Sequence, residues 1–207
     1  MTQPTIVVAR YNEDITWLQD ITHPSIVYNK STEPYEAPIP GHITIIDDVA
    51  NVGREAYTYL KFIIDNYDHL PDITVFLQGC IKDHQEGFDT PGEFIDVLIS
   101  EAAAKGMSMR TVHDCYDTKP DFTIDFWYTA IEASPIRPFD QWFKKYIGEQ
   151  LKTNPLQWIP AACFAVRKDH ILQHTRAFYM RLLHTVDHHV NPEAVYFLER
   201  SWYHIFK

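Results

Sequence analysis

The sequence predicts an α/β protein: one domain over residues 1–207, with a mostly parallel central sheet and helices on both faces. Three observations carry this. Short runs of β-branched and aromatic residues alternate with segments of helical apolar spacing, the order that builds parallel sheets. The run ITVFLQ at 73–78 is strongly β-prone, as in a central strand. A length of 207 residues with 45% hydrophobic content suits one core.

The elements follow in order. TIVVAR (5–10) is a first strand, with Ile6, Val7 and Val8 in succession. EDITWLQDI is a short helix capped by Asp14, with Ile15, Trp17, Leu18 and Ile21 apolar. SIVYNK (25–30) is a second strand. Pro34, Pro38 and Pro40 then bar regular structure, and HITIIDD (42–48) is a third, shorter strand. In NVGREAYTYLKFIIDNYDHLPD, apolar positions 52, 56, 60, 63, 64 and 67 recur at helical spacing, with Asn51 as N-cap and Pro71 beyond the end. TPGEFIDVLISEAAAKG is a helix closed by Gly106. Residues 107–139 read as loop. A helix over 140–152 takes Asp140 as its cap and sets Trp142, Phe143, Tyr146, Ile147 and Leu151 on one face. CFAVRK (163–168) is the last strand, followed by helices over 169–187 and 192–206. The second of these opens on Asn191-Pro192-Glu193: N-cap, first-turn proline and an acid that complements the dipole.

Bulk properties exclude several function classes. A formal net charge of -10 argues against a nucleic acid polymer as partner. The three cysteines, 80, 115 and 163, have no CxxC spacing and read as reduced thiols of a cytoplasmic protein. The N-terminal residues lack the basic start and apolar run of a signal peptide, and no stretch reads as a membrane anchor. There is no GxGxxG after the first strand, no GxxxxGK[ST], no GxSxG and no HExxH. Neither His188-His189 beside Asp187 nor Asp83-His84 is a chelate by spacing alone.

In open α/β sheets, ligands bind beyond the carboxyl ends of the strands. Four predicted strand ends carry polar groups: Arg10-Tyr11-Asn12-Glu13, Tyr28-Asn29-Lys30, Gln78-Gly79 and Arg167-Lys168. Arg10 and Asn12 are the expected contacts of the first segment. Arg54 and Glu55 fall in the first turn of a helix, where free N–H groups favour anions; Glu55 complements the dipole and Arg54 opposes it. Glu199 lies in the apolar stripe of Val195, Leu198 and Trp202, so it is either ion-paired, with Arg54 or Arg176, or faces a pocket.

Four blocks together, IVVARYNEDITWL, TVFLQGC, WIPAACFAVRKDHIL and NPEAVYFLERSWYHIF, resemble GT-A glycosyltransferases across most of the chain. The likeness is closest to a small GT-A-related family catalogued only as a domain of unknown function. A narrower likeness is to the capsid-glycan glycosyltransferases of large algal DNA viruses. The resemblance implies a Rossmann-like GT-A domain that transfers a sugar from a nucleotide sugar, a UDP-sugar first of all, to a hydroxyl of a glycan or glycoprotein. It implies nucleotide-sugar contacts from Arg10, Tyr11, Asn12, Lys30, Arg54, Gln78, Gly79 and Arg167, and a catalytic acid among Glu193, Glu199 and Asp125. Where such enzymes carry Asp-x-Asp for Mn²⁺ or Mg²⁺, this chain has Gln78-Gly79-Cys80. Two alternatives follow: Asp83 with His84 holds the ion, or the enzyme is metal-independent and Arg and Lys neutralise the diphosphate. The competing readings are a GT-A-like glycan- or protein-binding module without catalysis and a hydrolase of nucleotides or sugar phosphates.

Overall fold

A computed structural model describes residues 3–85, 87–109, 116–148, 151, 156–158 and 162–207. Cys115, the last turn of the helix expected over 140–152 and part of the WIPAAC stretch lie outside the described residues.

The strands are β1 (Thr5–Arg10), β2 (Ser25–Asn29), β3 (Ile43–Ile46), β4 (Ile73–Gln78), β5 (Met107–Met109), β6 (Tyr116–Thr118), β7 (Phe126–Trp127), β8 (Thr129–Ala130), β9 (Leu156–Trp158) and β10 (Phe164–Arg167). The helices are α1 (Arg54–Asp65), α2 (Pro91–Lys105), α3 (Phe139–Tyr146), α4 (Lys168–Ile171), α5 (Arg176–Leu183) and α6 (Glu193–Phe206). Six strands form one sheet in the order β3-β2-β1-β4-β10-β5. β1 pairs in parallel with β2 and β4, and β2 with β3. β10 alone opposes the rest, antiparallel to both β4 and β5. The protein is thus a single α/β domain with a mostly parallel sheet of Rossmann-like form.

Alternation along β1 sends Val7 to one face and Ile6 and Val8 to the other. The Val7 face, with Phe76 and Phe164, packs against α1, α3, α5 and α6; the Val8 face, with Val75 and Leu77, packs against α2 and a 3-10 turn at Thr16–Asp20. Much of the aromatic content fills the first layer. Tyr59 meets Phe76 at 4.9 Å between ring centroids, and Trp202 stacks on Phe206 at 5.9 Å.

Several boundaries differ from expectation for identifiable reasons. α1 starts at Arg54, not after Asn51, because Gly53 turns left-handed (φ 59°) and stands as N-cap. A Cβ at Gly53 would lie 2.5 Å from the Val186 carbonyl oxygen, so only glycine fits this approach. The helix expected over 169–187 is two: α4 ends at Ile171, and Thr175 caps α5 by accepting from the Phe178 N–H. Residues 107–139 hold β5 to β8, strands too short to show a period. The helix expected from 140 begins at Phe139 and ends at Tyr146.

Candidate functional site

Register brings three strand ends level. Ala9 lies opposite Gln78, and Arg10 opposite Asn29. β1 sits between β2 and β4, so the sheet's topological switch point falls at this edge. A cavity of about 360 Å³ opens there, lined by Arg10, Tyr11 and Glu13 from the β1 end, Lys30 from β2, Gln78 from β4, and Asn51, Arg54 and Glu55 from the start of α1.

Its cations are held, not loose. The Arg10 guanidinium donates to the Asn29 side-chain oxygen at 2.6 Å and to the Glu13 carbonyl at 3.0 Å. Lys30 is 5% exposed; its Nζ donates to the carbonyls of Val52, at 2.6 Å, and of Arg54. This ties the end of β2 to the start of α1. Burial pushes the Lys30 ammonium down to about 8, against the opposing pull of Glu55 and Glu13. Arg54 donates to the Tyr196 hydroxyl at 3.0 Å, and its Nε lies 3.7 Å from the Glu55 carboxylate. Glu55 first, and Tyr196 and Glu199 behind it, hold Arg54 above the ordinary guanidinium value.

A second cavity of about 230 Å³ shares Arg54, Glu55 and Gln78 with the first. Its other walls are Ile124, Trp127, Trp158, Val195, Tyr196, Glu199 and Arg200. Glu55 is therefore the carboxylate at the junction, with its side chain only 11% exposed. Glu199 faces the second cavity and lies 3.6 Å from Arg200 rather than pairing with Arg176, which pairs with Asp68. Arg200 is flanked by Phe122 and Trp158 at 3.8 and 4.0 Å.

Of the residues expected from sequence, Arg10, Tyr11, Lys30, Arg54 and Gln78 meet at the first cavity and Glu199 at the second. The others are elsewhere. Asn12 points away and accepts from the Ser31 hydroxyl, while Glu13 takes its place in the wall. Gly79 continues the strand pairing, its N–H donating to Ala9 and its carbonyl accepting from the Trp17 indole. Arg167 pairs opposite Ile73, the first residue of β4, because β10 runs backward; it sits at the far edge of the sheet, bound to Asp169. Glu193 is fully buried, accepting from the Ile124 and Ser134 N–H groups and from Arg137, while Asp125 shares that arginine. This cluster ties the 124–137 segment to the start of α6, and neither carboxylate lines either cavity. Asp83 and His84 lie in a turn after β4 and line neither cavity. Among the described residues no three His, Cys, Asp or Glu side chains come together as a group that could hold a metal ion. Glu55, Trp127 and Trp158 were missed. Glu55 reads in sequence as an ordinary first-turn acid, and the tryptophans fall in stretches without periodicity; the dense run DFWY at 125–128 was the available signal.

A family model described as a protein of unknown function, DUF3431, matches residues 6–207. The chain belongs to that family. Both cavities of this DUF3431 chain, from Ala9 to Arg200, lie inside the matched region. No curated protein matches it.

Proposed function

We propose that this protein is a glycosyltransferase that moves a sugar from a nucleotide sugar, a UDP-sugar in the first instance, to a hydroxyl of a glycan or glycoprotein. One observation carries the reading: Arg10, Lys30 and Arg54 converge, with the N-terminus of α1, on a cavity at the switch point of a mostly parallel sheet. That is a site for a small polyanion inside a protein of net charge -10. The resemblance of the four sequence blocks to GT-A enzymes adds the sugar.

In this reading the diphosphate lies against Arg10, Lys30 and Arg54, and the sugar points toward the second cavity. The acceptor oxygen attacks the anomeric carbon as the carbon–phosphate-oxygen bond breaks. The nucleoside diphosphate leaves with the bonding pair, stabilised by the three cations. The acceptor proton passes to a carboxylate, and Glu55 at the junction is the base in the proposal, with Glu199 lining the acceptor side. Glu55→Gln is expected to lower kcat about 10²- to 10⁴-fold, the usual worth of a general base, with donor affinity kept.

Titration calorimetry with UDP and UDP-sugars, with and without Mn²⁺, tests the function. Binding followed by UDP release in the presence of acceptor supports it, and the Mn²⁺ arm decides metal dependence. Absence of nucleotide binding in both conditions rejects it. A second reading, a glycan-binding module without transfer, draws on the missing Asp-x-Asp and the exposed aromatics of the β7–β8 hairpin. It predicts glycan binding with no UDP release over hours.

A further inference from the structure

The β7–β8 hairpin presents three consecutive aromatics to solvent. Phe126, Trp127 and Tyr128 are 68%, 52% and 87% exposed. Such a run is costly on a surface unless something covers it. The hairpin is pinned. The buried Asn191 side chain donates to the Thr129 hydroxyl at 3.1 Å and the Ala130 carbonyl at 3.4 Å, and accepts from the Tyr196 hydroxyl. Tyr196 in turn accepts from Arg54. A continuous hydrogen-bonded path therefore holds the aromatic hairpin in register with the first cavity.

Beneath the hairpin, the second cavity combines two kinds of wall. Trp127 and Trp158 offer flat apolar faces, while Glu55, Gln78, Glu199 and Arg200 offer planar polar groups. A sugar ring has the matching chemistry: an apolar face of C–H groups and a rim of hydroxyls that donate and accept. At about 230 Å³ the cavity lies below the roughly 300–1,000 Å³ of ordinary ligand clefts and suits a single ring. A further groove of about 500 Å³ continues from it past Trp158 and Arg200 to Phe122 and Lys119, room for additional units. The polar floor argues against an apolar peptide helix. The net charge of -10 disfavours an anionic bilayer.

We infer that the second cavity, with Trp127 as its aromatic anchor, is a saccharide-binding subsite that seats a neutral oligosaccharide acceptor beside Glu55. The inference deepens the transfer reading and rests on it for the word acceptor, though the binding itself is independently measurable.

The test is titration calorimetry of the full chain with cellobiose, maltose, lactose, chitobiose and α-mannobiose, each with and without UDP. Vesicles of phosphatidylcholine and phosphatidylserine serve as a separate arm. At least one saccharide is expected to bind at millimolar concentration. Trp127→Ala should weaken it about tenfold or more, Trp127→Phe should restore most of the loss, and UDP binding should stay unchanged in both. Trp127 is half exposed and outside the buried core, and an unchanged urea midpoint checks that the variants fold. Saccharide binding equal in wild type and Trp127→Ala overturns the inference, as does no saccharide binding in any condition. Vesicle binding abolished by Trp127→Ala, without saccharide binding, assigns the hairpin to membranes and overturns it too. UDP binding without saccharide binding rejects the subsite and leaves the nucleotide site standing; the converse keeps the subsite and rejects transfer.

Discussion

Lys30 and Glu193 show how differently two buried charges are used. Burial holds the Lys30 ammonium at about 8, below the roughly 10.4 of an unfolded lysine. The folded pKa is depressed, so between those values the unfolded chain carries the proton and the folded one does not. Stability gains from this group as pH rises across that window, and below about 8 the penalty of the buried charge is present in full. Lys30→Met is therefore expected to abolish the rise in urea midpoint between about pH 8 and 10 while weakening UDP binding. An anionic ligand reverses the depression. UDP binding above pH 8 should take up a proton, with Kd rising about tenfold per pH unit there, read by calorimetry in two buffers of different ionisation heat. Equal heats in both buffers contradict the placement of the diphosphate against Lys30. Glu193 is used structurally: two backbone N–H groups and Arg137 donate to its oxygens. Glu193→Ala leaves the two N–H groups unpaired, with Arg137 held by Asp125 alone, and should cost about 3 kcal/mol of unfolding free energy, measured in urea.

End signals in the sequence locate some boundaries and misplace others: Asn51 and Asn191 read as N-caps, yet Gly53 and Pro192 hold those positions. β4 has its expected bounds at 73–78, and α2 is closed by Gly106 as expected, while its N-cap, Thr90, comes from the structure. Gly106 has φ 91°, and a Cβ there would fall 1.9 Å from the His170 imidazole, so Gly106→Ala should destabilise by about 2 kcal/mol or more in thermal or urea unfolding. Strand direction, by contrast, has no local signature. Phe164–Arg167 reads the same forward or backward, so Arg167 was expected at the ligand edge and instead lies at the other. The same limit explains the site. Arg10, Lys30 and Gln78 were legible because they end parallel strands. Glu55 and Trp127 reach the cavities through long-range packing of α1, α6 and the hairpin, which no spacing along the chain encodes.

For the whole molecule, the first cavity is assembled from distant parts of the chain: the β1 end, Lys30, Asn51, the start of α1, Gln78 and Val190. Lys30 already ties two of these parts together through the Val52 carbonyl. A ligand bridging all of them has nothing comparable to bind in the unfolded chain, which is the condition for full linkage to stability. The elements it bridges also bear both core layers, since β1 and β4 contribute Val7 and Phe76 to one and Val8 and Leu77 to the other. Opening the site therefore means opening the domain, and binding free energy should appear in the global transition. UDP at about one hundred times its Kd adds about 2.7 kcal/mol, which for a chain of this length raises Tm by about 5–10 °C. The shift should grow with the logarithm of UDP concentration, shrink in Lys30→Met, and persist in Trp127→Ala. A Tm that UDP does not move at saturating concentration removes the nucleotide from the first cavity. A shift equally large in Lys30→Met places it at another surface.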